Sequence, residues 1–113
     1  MPLYAAIIYT SDLDWTAPEQ AAEMGEYAEF GQAAAEIMRG GAALFPTSTA
    51  TTVRTSAKGG VVVTDGPYAE TKEVLTGFFL LECTDLDHAI AVAATIPAAW
   101  NGAVEVRPVI PMG

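Results

Sequence analysis

The stretch Leu3-Tyr-Ala-Ala-Ile-Ile-Tyr9 is apolar at every position. A strand with one face in water alternates apolar and polar side chains, whereas a strand covered on both faces does not. Leu3–Tyr9 is therefore predicted to be a central strand that is buried on both faces. Ser11-Asp-Leu-Asp14 ends this strand, and Thr16-Ala-Pro-Glu19 predicts a helix start with Thr16 as N-cap, Pro18 in the first turn and Glu19 completing a capping box.

A long helix is expected to follow. Apolar or small side chains recur at spacings of three and four, as one buried helix face requires: Met24, Tyr27, Ala28, Gly31, Ala34, Ala35 and Met38. Glu23, Glu26 and Glu29 fall largely outside this stripe, so the opposite face is acidic. Gly40-Gly41 predicts the C-cap of the helix, because glycine adopts the left-handed conformation without steric penalty.

The middle of the chain reads as a hairpin. Residues 44–56 are rich in threonine and β-branched side chains, Lys58-Gly-Gly60 interrupts them, and Val61-Val-Val-Thr64 resumes the strand pattern. Asp65-Gly-Pro67 is strong turn chemistry and should end the second strand. The sequence therefore predicts two paired strands here, followed by a turn.

The second half repeats a strand, a helix and a strand. Gly77–Cys83 is aromatic and aliphatic and predicts a second central strand. Asp85 or Thr84 can cap a helix whose apolar positions follow the helical period until Pro97: Leu86, Ala89, Ile90 and Ala93. Val104–Pro108 predicts a last strand at the sheet edge, since proline cannot donate to a ladder.

Strand, helix, hairpin, strand, helix and strand make a split βαβ order with one strand more than the four of βαββαβ. We assign it to a ferredoxin-like α+β sandwich, βαββαβ, in a single domain spanning residues 1–113. The two helices can cover one sheet face only, yet the central strands are apolar on both faces. A second molecule is expected to cover the other face. We therefore expect a homodimer in which two sheets pack face to face.

Composition limits the functional classes. The chain has 113 residues, 51% of them hydrophobic, and a net charge of −9, which disfavours direct nucleic-acid binding. It lacks a membrane-spanning run and a signal-peptide pattern, so a cytoplasmic location is expected, with no membrane partner. One cysteine and one histidine give neither a disulfide nor a zinc ligand set, and no metal or cofactor is expected.

The segment Asp65-Gly-Pro-Tyr-Ala-Glu-Thr-Lys-Glu73, followed by a Gly-Phe strand at Gly77, resembles the DGPF branch of the YCII-related family. That signature has phenylalanine where Tyr68 stands here. Pro46–Arg54, Asp85–Asp87, Ile96-Pro97 and Val104–Pro108 also resemble the family's flanking elements. The resemblance implies ferredoxin-like protomers that form a dimeric α/β barrel. It further implies a link to extracytoplasmic-function sigma factors, whose genes often neighbour those of DGPF proteins.

Asp65 and Lys72 are the candidate catalytic residues. Partial burial would raise the pKa of Asp65 and suit it to act as a general base, whereas bonding to the turn backbone would lower that pKa. Lys72 could hold an anionic ligand or form a surface ion pair with the neighbouring carboxylates. Both alternatives remain open for each residue.

Tyr9, Arg54, Tyr68 and Glu70 are the candidate ligand-binding residues. Arg54, like Arg107, offers a planar fork to a ligand carboxylate, although buried or interface pairing would use it as well. The two tyrosines could line a small-molecule cleft or pack in the core. Glu70 stands in the same acidic and basic stretch as Lys72.

Other reactive residues have structural readings. His88 is predicted on the solvated face of the second helix, so histidine chemistry of the wider family, where some members are thought to use a His-Asp pair, is not expected here. Glu82 and Asp85 should raise the thiol pKa of Cys83. Trp15 and Trp100 could each be a lid or an anchor.

Three functions remain in competition. The chain could be a small-molecule-binding or enzymatic protein with a cleft near the Asp65–Glu73 loop. It could be a non-catalytic regulatory protein associated with a sigma factor. The Asp65–Glu73 segment could also be purely architectural, ordering the crossing from hairpin to central strand and contributing to the dimer surface.

Overall fold

A computed structural model describes residues 2–112, which form two antiparallel sheets. The six strands in chain order are β1 (Leu3–Ser11), β2 (Met38–Ala43), β3 (Thr51–Thr55), β4 (Val61–Asp65), β5 (Glu73–Glu82) and β6 (Ala103–Pro108). The main sheet has the order β2-β5-β1-β6, and β3 and β4 form a separate two-stranded sheet. With its helices the main sheet confirms the predicted ferredoxin-like sandwich.

Three helices accompany the sheets: α1 (Ala21–Ala33), α2 (Leu86–Ala93) and the short α3 (Ala98–Asn101). Single 3-10 turns lie at Pro18–Gln20 and Thr47–Thr49. Asp85 caps α2 as predicted, because its side chain accepts a 2.8 Å hydrogen bond from the His88 N–H. Of the predicted apolar positions of α2, Ala89 and Ala93 are buried, while Leu86 and Ile90 are about half exposed.

The core lies between the main sheet and the helices. Alternate residues of β1 point into it, with Tyr4, Ala6 and Ile8 packed in one cluster with residues of α1 and α2. The other face of β1 is half-buried within one chain. The face of β1 that the helices cover is therefore buried, as predicted. The opposite face is the one that the expected partner would cover.

The predicted end of the first helix is wrong. Helix α1 stops at Ala33, and the residues expected to form its last turn and cap instead build strand β2, in which Ala42 pairs with Phe78. Gly41 is needed for a different reason, since a Cβ atom there would lie 2.6 Å from the Phe78 carbonyl oxygen. Gly41 thus permits close contact between the strands, and neither glycine caps a helix.

The predicted N-cap at Thr16 is also wrong. The Asp14 carboxylate accepts hydrogen bonds from both the N–H and the hydroxyl of Thr16, so the threonine side chain is used before the helix begins. Ala17 occupies the cap position of the 3-10 turn without a side-chain hydrogen bond, and Pro18 begins that turn as predicted.

The hairpin is confirmed, but it lies outside the main sheet. Strands β3 and β4 pair from Thr51 opposite Asp65 to Thr55 opposite Val61. Apolar side chains on both strands are more than half exposed: Val53, Val61, Val62 and Val63. The radius of gyration is 15.9 Å, above the ~13 Å of a compact chain of about 100 residues, so the molecule is extended.

Candidate functional site

The loop between β4 and β5, residues 65–73, is called the signature loop here. It starts at a turn in which Gly66 has a φ of 109°, a left-handed conformation that favours glycine. The Gly66 N–H donates to the Ala50 carbonyl at 2.8 Å, and the Gly66 carbonyl accepts from the Thr52 hydroxyl at 2.8 Å. These bonds join the start of the signature loop to the base of the hairpin.

The two predicted catalytic residues stand at opposite ends of the signature loop. Asp65 is the last residue of β4 and is exposed, and Lys72 is exposed just before β5. Within residues 2–112 the one ion pair joins Arg39 to Glu82, with Nη2 and Oε2 2.6 Å apart. The surface ion pair considered for Lys72 is therefore not formed in this part of the chain.

The predicted ligand-binding residues divide into separate groups. The Arg54 guanidinium carbon lies 4.9 Å from the centre of the Tyr68 ring, a cation–π contact between the hairpin and the signature loop. Tyr68 is 75% exposed, which contradicts the packed-core alternative for this side chain. Tyr9 lies half-buried on β1 of the main sheet, paired with Leu75 and Ala103, whereas Arg54 lies on β3 of the separate two-stranded sheet.

A concave surface, called the signature cleft here, lies beside the signature loop. Its volume is about 450 Å³, and the loop, the turn after β2 and the end of β1 all contribute to it. The lining residues are Asp12, Thr47, Ser48, Gly66, Pro67, Ala69, Glu70, Thr71 and Val74. Of the six predicted site residues, Glu70 alone is in this lining, and Asp65 directly precedes Gly66 in it.

Asp12 holds one wall of the signature cleft in place. Its carboxylate accepts hydrogen bonds from the Thr47 N–H at 3.0 Å and from the Thr47 hydroxyl. These two bonds, the hydroxyl bond first, hold the pKa of Asp12 below its ordinary value of 3.8, because they stabilise the ionised form. Asp12 is thus a charged anchor between the end of β1 and the turn after β2.

Sequence reasoning missed Asp12, Thr47 and Ser48 as cleft residues. Asp12 had been assigned only to the segment that ends the first strand, and Thr47 to a strand. Pro46-Thr-Ser gave the available signal, because proline followed by hydroxylated residues is typical of turns. What the sequence does not show is that this turn lies next to the end of β1.

Comparison with known proteins then identifies the family. The family model described as YCII-related domain matches residues 3–113. The chain belongs to the YCII-related family. An uncharacterised protein of Rhizobium meliloti (strain 1021) is 49% identical over 69 residues, which is 59% of this chain. The match covers 55% of that relative, so it spans little more than half of the relative's length.

The lone histidine of this YCII-related chain has a local structural contact. The Nδ1 atom of His88 accepts a 3.0 Å hydrogen bond from the Thr84 N–H, next to the capping Asp85. Cys83 is fully buried, and burial raises the pKa of its thiol, with the Asp85 charge adding to the effect. The predicted direction for Cys83 is confirmed, although burial is the larger cause.

Residues 2–112 lack both a metal-binding cluster and a membrane-spanning helix. The described part of this YCII-related chain contains no group of three or more His, Cys, Asp or Glu side chains placed to hold a metal ion. Its helices include none that is long and apolar enough to cross a membrane.

Proposed function

We propose that this protein binds a small polar molecule in the signature cleft. The observation that carries the proposal is a concave surface built from three separate chain segments, with the side chains of Asp12 and Glu70 in its lining. Concave surfaces with a few convergent polar groups are where small ligands are usually bound. The signature loop is then a wall of the site, and its length and turn chemistry serve that purpose.

The lining favours a cationic or hydroxyl-rich ligand. Two carboxylates, Asp12 and Glu70, can accept hydrogen bonds, and the Ser48 hydroxyl can donate and accept them. The hydroxyls of Thr47 and Thr71 already donate to Asp12 and to the Glu73 carbonyl, so they can only accept from a ligand. Lys72 and Arg54, the residues considered for an anionic ligand, are not in the lining. The net charge of −9 also repels anions. We therefore expect an amine or a polyhydroxylated compound.

Asp65 and Lys72 keep their proposed catalytic roles at the edge of this site. Asp65 precedes the lining residue Gly66, and Lys72 follows the lining residue Thr71. Each is exposed and therefore accessible to a bound molecule. Asp65 is proposed as the general base, because its exposed carboxylate beside the lining can accept a proton from a bound molecule.

Thermal-shift screening against amines and polyols tests the binding proposal, since a ligand of the native state raises apparent stability. Glu70→Gln should weaken a hit roughly tenfold, as expected for the loss of one charge-assisted contact of about 1.4 kcal/mol. Glu19→Gln, at an exposed position of the 3-10 turn and outside this lining, is the matched control and should leave affinity unchanged. Equal affinity in the Glu70 variant and in wild type would refute the assignment of this cleft.

The two catalytic assignments need their own variants. If the protein converts one of the bound compounds, Asp65→Asn should abolish turnover while retaining binding. Lys72→Ala should reduce turnover, binding or both. Unchanged turnover and affinity in both variants would remove these residues from the site. The signature loop would then be architectural, and Gly66→Ala should destabilise the fold because its φ of 109° strains any residue with a Cβ.

We also propose that the protein functions as a homodimer. Apolar side chains of β1 and β5 on the sheet face opposite the helices, such as Ile7 and Phe78, are only half-buried in one chain, and the hairpin exposes valines on both strands. Exposed apolar surface of this kind is typical of an interface between subunits. Face-to-face packing of two sheets would make the dimeric α/β barrel that the resemblance implies.

Sedimentation equilibrium at micromolar concentration tests the dimer. Val62→Lys should shift the protein toward monomer, whereas Ala22→Lys on the exposed side of α1 should not. A wild-type protein that sediments as a monomer would refute the proposal. Recovery of a sigma factor with the wild type and not with Val62→Lys would favour the regulatory alternative, in which the exposed hairpin meets a different protein.

A further inference from the structure

A second cavity, separate from the signature cleft, lies between α1 and the main sheet and is called the inner pocket here. Its volume is about 310 Å³. It is lined by Ile8, Trp15, Met24, Tyr27, Ala28, Gly41, Ala42, Ala43, Thr76, Gly77 and Phe79. It shares no lining residue with the signature cleft and contains no Asp, Glu, Lys, Arg or His side chain.

The inner pocket exists because small residues face one another across it. Ala28 of α1 stands over a strand segment whose side chains end at Cβ or are absent, from Gly41 to Ala43. Close approach of the backbones forbids larger residues at the glycines, since a Cβ on Gly77 would lie 2.8 Å from the Ala42 carbonyl oxygen. The space is therefore a consequence of strand packing, and other side chains of the core do not fill it.

Aromatic rings form the remaining wall. Trp15 and Tyr27 meet edge to face, with ring centroids 5.2 Å apart, and Tyr27 lies 6.3 Å from Phe79. Trp15 is fixed by a 3.2 Å hydrogen bond from its Nε1 to the Thr76 carbonyl, which also accepts from the Leu44 N–H at 3.0 Å. The rings are thus positioned before any ligand arrives, and this lowers the entropic cost of binding.

Thr76 is placed by an irregularity in the sheet. Ile8 pairs with Gly77 and Tyr9 with Leu75, which leaves Thr76 as an extra residue of β5 opposite β1. Bulges of this kind redirect a side chain or a carbonyl and occur often beside binding sites. Here the bulge directs the Thr76 carbonyl toward Trp15, and the buried Thr76 hydroxyl bonds to that of Thr10 at 3.2 Å.

We infer that the inner pocket binds a small, neutral aromatic molecule. A cavity of about 150 Å³ lined by apolar side chains holds one benzene, and the inner pocket has about twice that volume. It therefore has room for one or two rings. Several lining residues, among them Ala28 and Ala43, are exposed, so the pocket opens to solvent on one side. Its lining offers an ion no partner of opposite charge, and a neutral ligand is therefore favoured. Edge and face contacts with Trp15, Tyr27 and Phe79 favour a planar ring.

Quenching of Trp15 fluorescence by bromobenzene tests the inference, because bromine quenches an indole only in close contact. Trp100→Phe provides the background, since Trp100 is 85% exposed and Trp15 then becomes the one reporter. We expect saturable quenching by bromobenzene and none by aqueous bromide. Linear, unsaturated quenching by bromobenzene would refute the site.

Two variants that fill the inner pocket and two control variants test whether bromobenzene binds there. Ala28→Leu and Ala43→Val add carbon atoms to opposite walls of the inner pocket. Each should weaken the binding of bromobenzene at least about tenfold, an amount that titration resolves easily. Ala22→Leu, exposed on the same helix and outside the lining, should bind like the background protein. Glu70→Gln should also bind normally, so failure of the signature cleft and failure of the inner pocket are distinguishable.

The test also detects a competing occupant. If a side chain from a second copy filled the inner pocket, saturable quenching would appear only at protein concentrations where sedimentation shows monomer. That result would overturn the inference, as would unchanged bromobenzene affinity in both filling variants once circular dichroism shows that they are folded.

Discussion

Leu81→Ala is the substitution that tests the packing scheme most directly. Leu81 lies on the central strand β5, is 1% exposed, and pairs with Tyr4 of β1 on one side and Met38 of β2 on the other. Truncation of a fully buried leucine costs about 2–5 kcal/mol, the transfer term plus the cavity left behind. Leu81 sits between two flanking strands that hold the cavity open, so we expect about 3 kcal/mol, within the usual range.

That loss is large for a domain of this size. At roughly 0.05–0.15 kcal/mol per residue, the whole chain would have a free energy of unfolding of about 6–17 kcal/mol. Urea unfolding followed by circular dichroism, at one fixed protein concentration because dimerisation would couple to folding, gives the difference directly. The midpoint should fall while the slope m stays constant.

Leu86→Ala is the control for Leu81→Ala, because Leu86 is 49% exposed on α2. It should cost less than about 1 kcal/mol, as expected for a partly exposed side chain. A Leu81→Ala loss no greater than that of Leu86→Ala would refute the reasoning. It would mean that β5 does not lie between β1 and β2 with this face turned to the helices.

Three further predictions concern local contacts. Asp85→Ala should lower the free energy of unfolding by about 1 kcal/mol, because the α2 cap is lost, whereas Asp87→Ala should cost less in the same urea assay. Thr47→Ala should raise the pKa of Asp12 toward 3.8 in an NMR titration. In wild type, the stabilisation from the Asp12–Thr47 contact should be present above the ordinary pKa of Asp12 and lost as the pH falls through its lowered pKa. Burial, followed by the Glu23 charge, raises the pKa of Tyr27 to about 12. The contribution of Tyr27 to stability should therefore be intact below pH 10 and lost as the pH rises toward 12. Tyr27→Phe should remove this pH dependence of the free energy of unfolding and the matching step in an ultraviolet titration.

The central strands and the second helix could be predicted because their signals are local. Leu3–Tyr9 is uniformly apolar, and Asp85 stands one position before a clear helical period. Both signals come from residues that are neighbours in the sequence, and they require no knowledge of distant contacts. For this reason β1, β5 and α2 were all predicted, although β5 begins at Glu73 and not at Gly77, and α2 ends at Ala93, before the predicted limit at Pro97.

Strand β2 could not be predicted, because its sequence carries no strand signal. Met-Arg-Gly-Gly-Ala-Ala has no β-branched or aromatic residue and continues the spacing of the preceding helix as far as Met38. What makes it a strand is its pairing with β5, where bulky residues such as Phe78 and Phe79 leave room only for glycine and alanine. Tertiary packing here overrides local propensity.

The candidate site was predicted in part for the same reason. The signature loop is contiguous, so its residues could be singled out together, and Glu70 does line the cleft. Asp12 and Thr47 join it from two other segments, through hydrogen bonds that no spacing in the sequence reveals. The inner pocket is harder still to predict from the sequence, because it exists where small side chains leave space unfilled.

The pairing of Ala43 with Gly77 has a consequence for how the chain folds and how it can be altered. Residues 44–72 are an excursion that leaves the main sheet and returns to it at Glu73, where β5 first pairs with β1 before it reaches β2. The β3–β4 hairpin contains mostly short-range contacts, so it should form early, whereas the β2–β5 ladder must await closure of the whole excursion. A shortened chain that joins the two strands by a tight turn should therefore fold faster and keep the ferredoxin-like sheet. The excursion would then be a transplantable module, and grafting it onto another antiparallel pair should carry the signature loop with it.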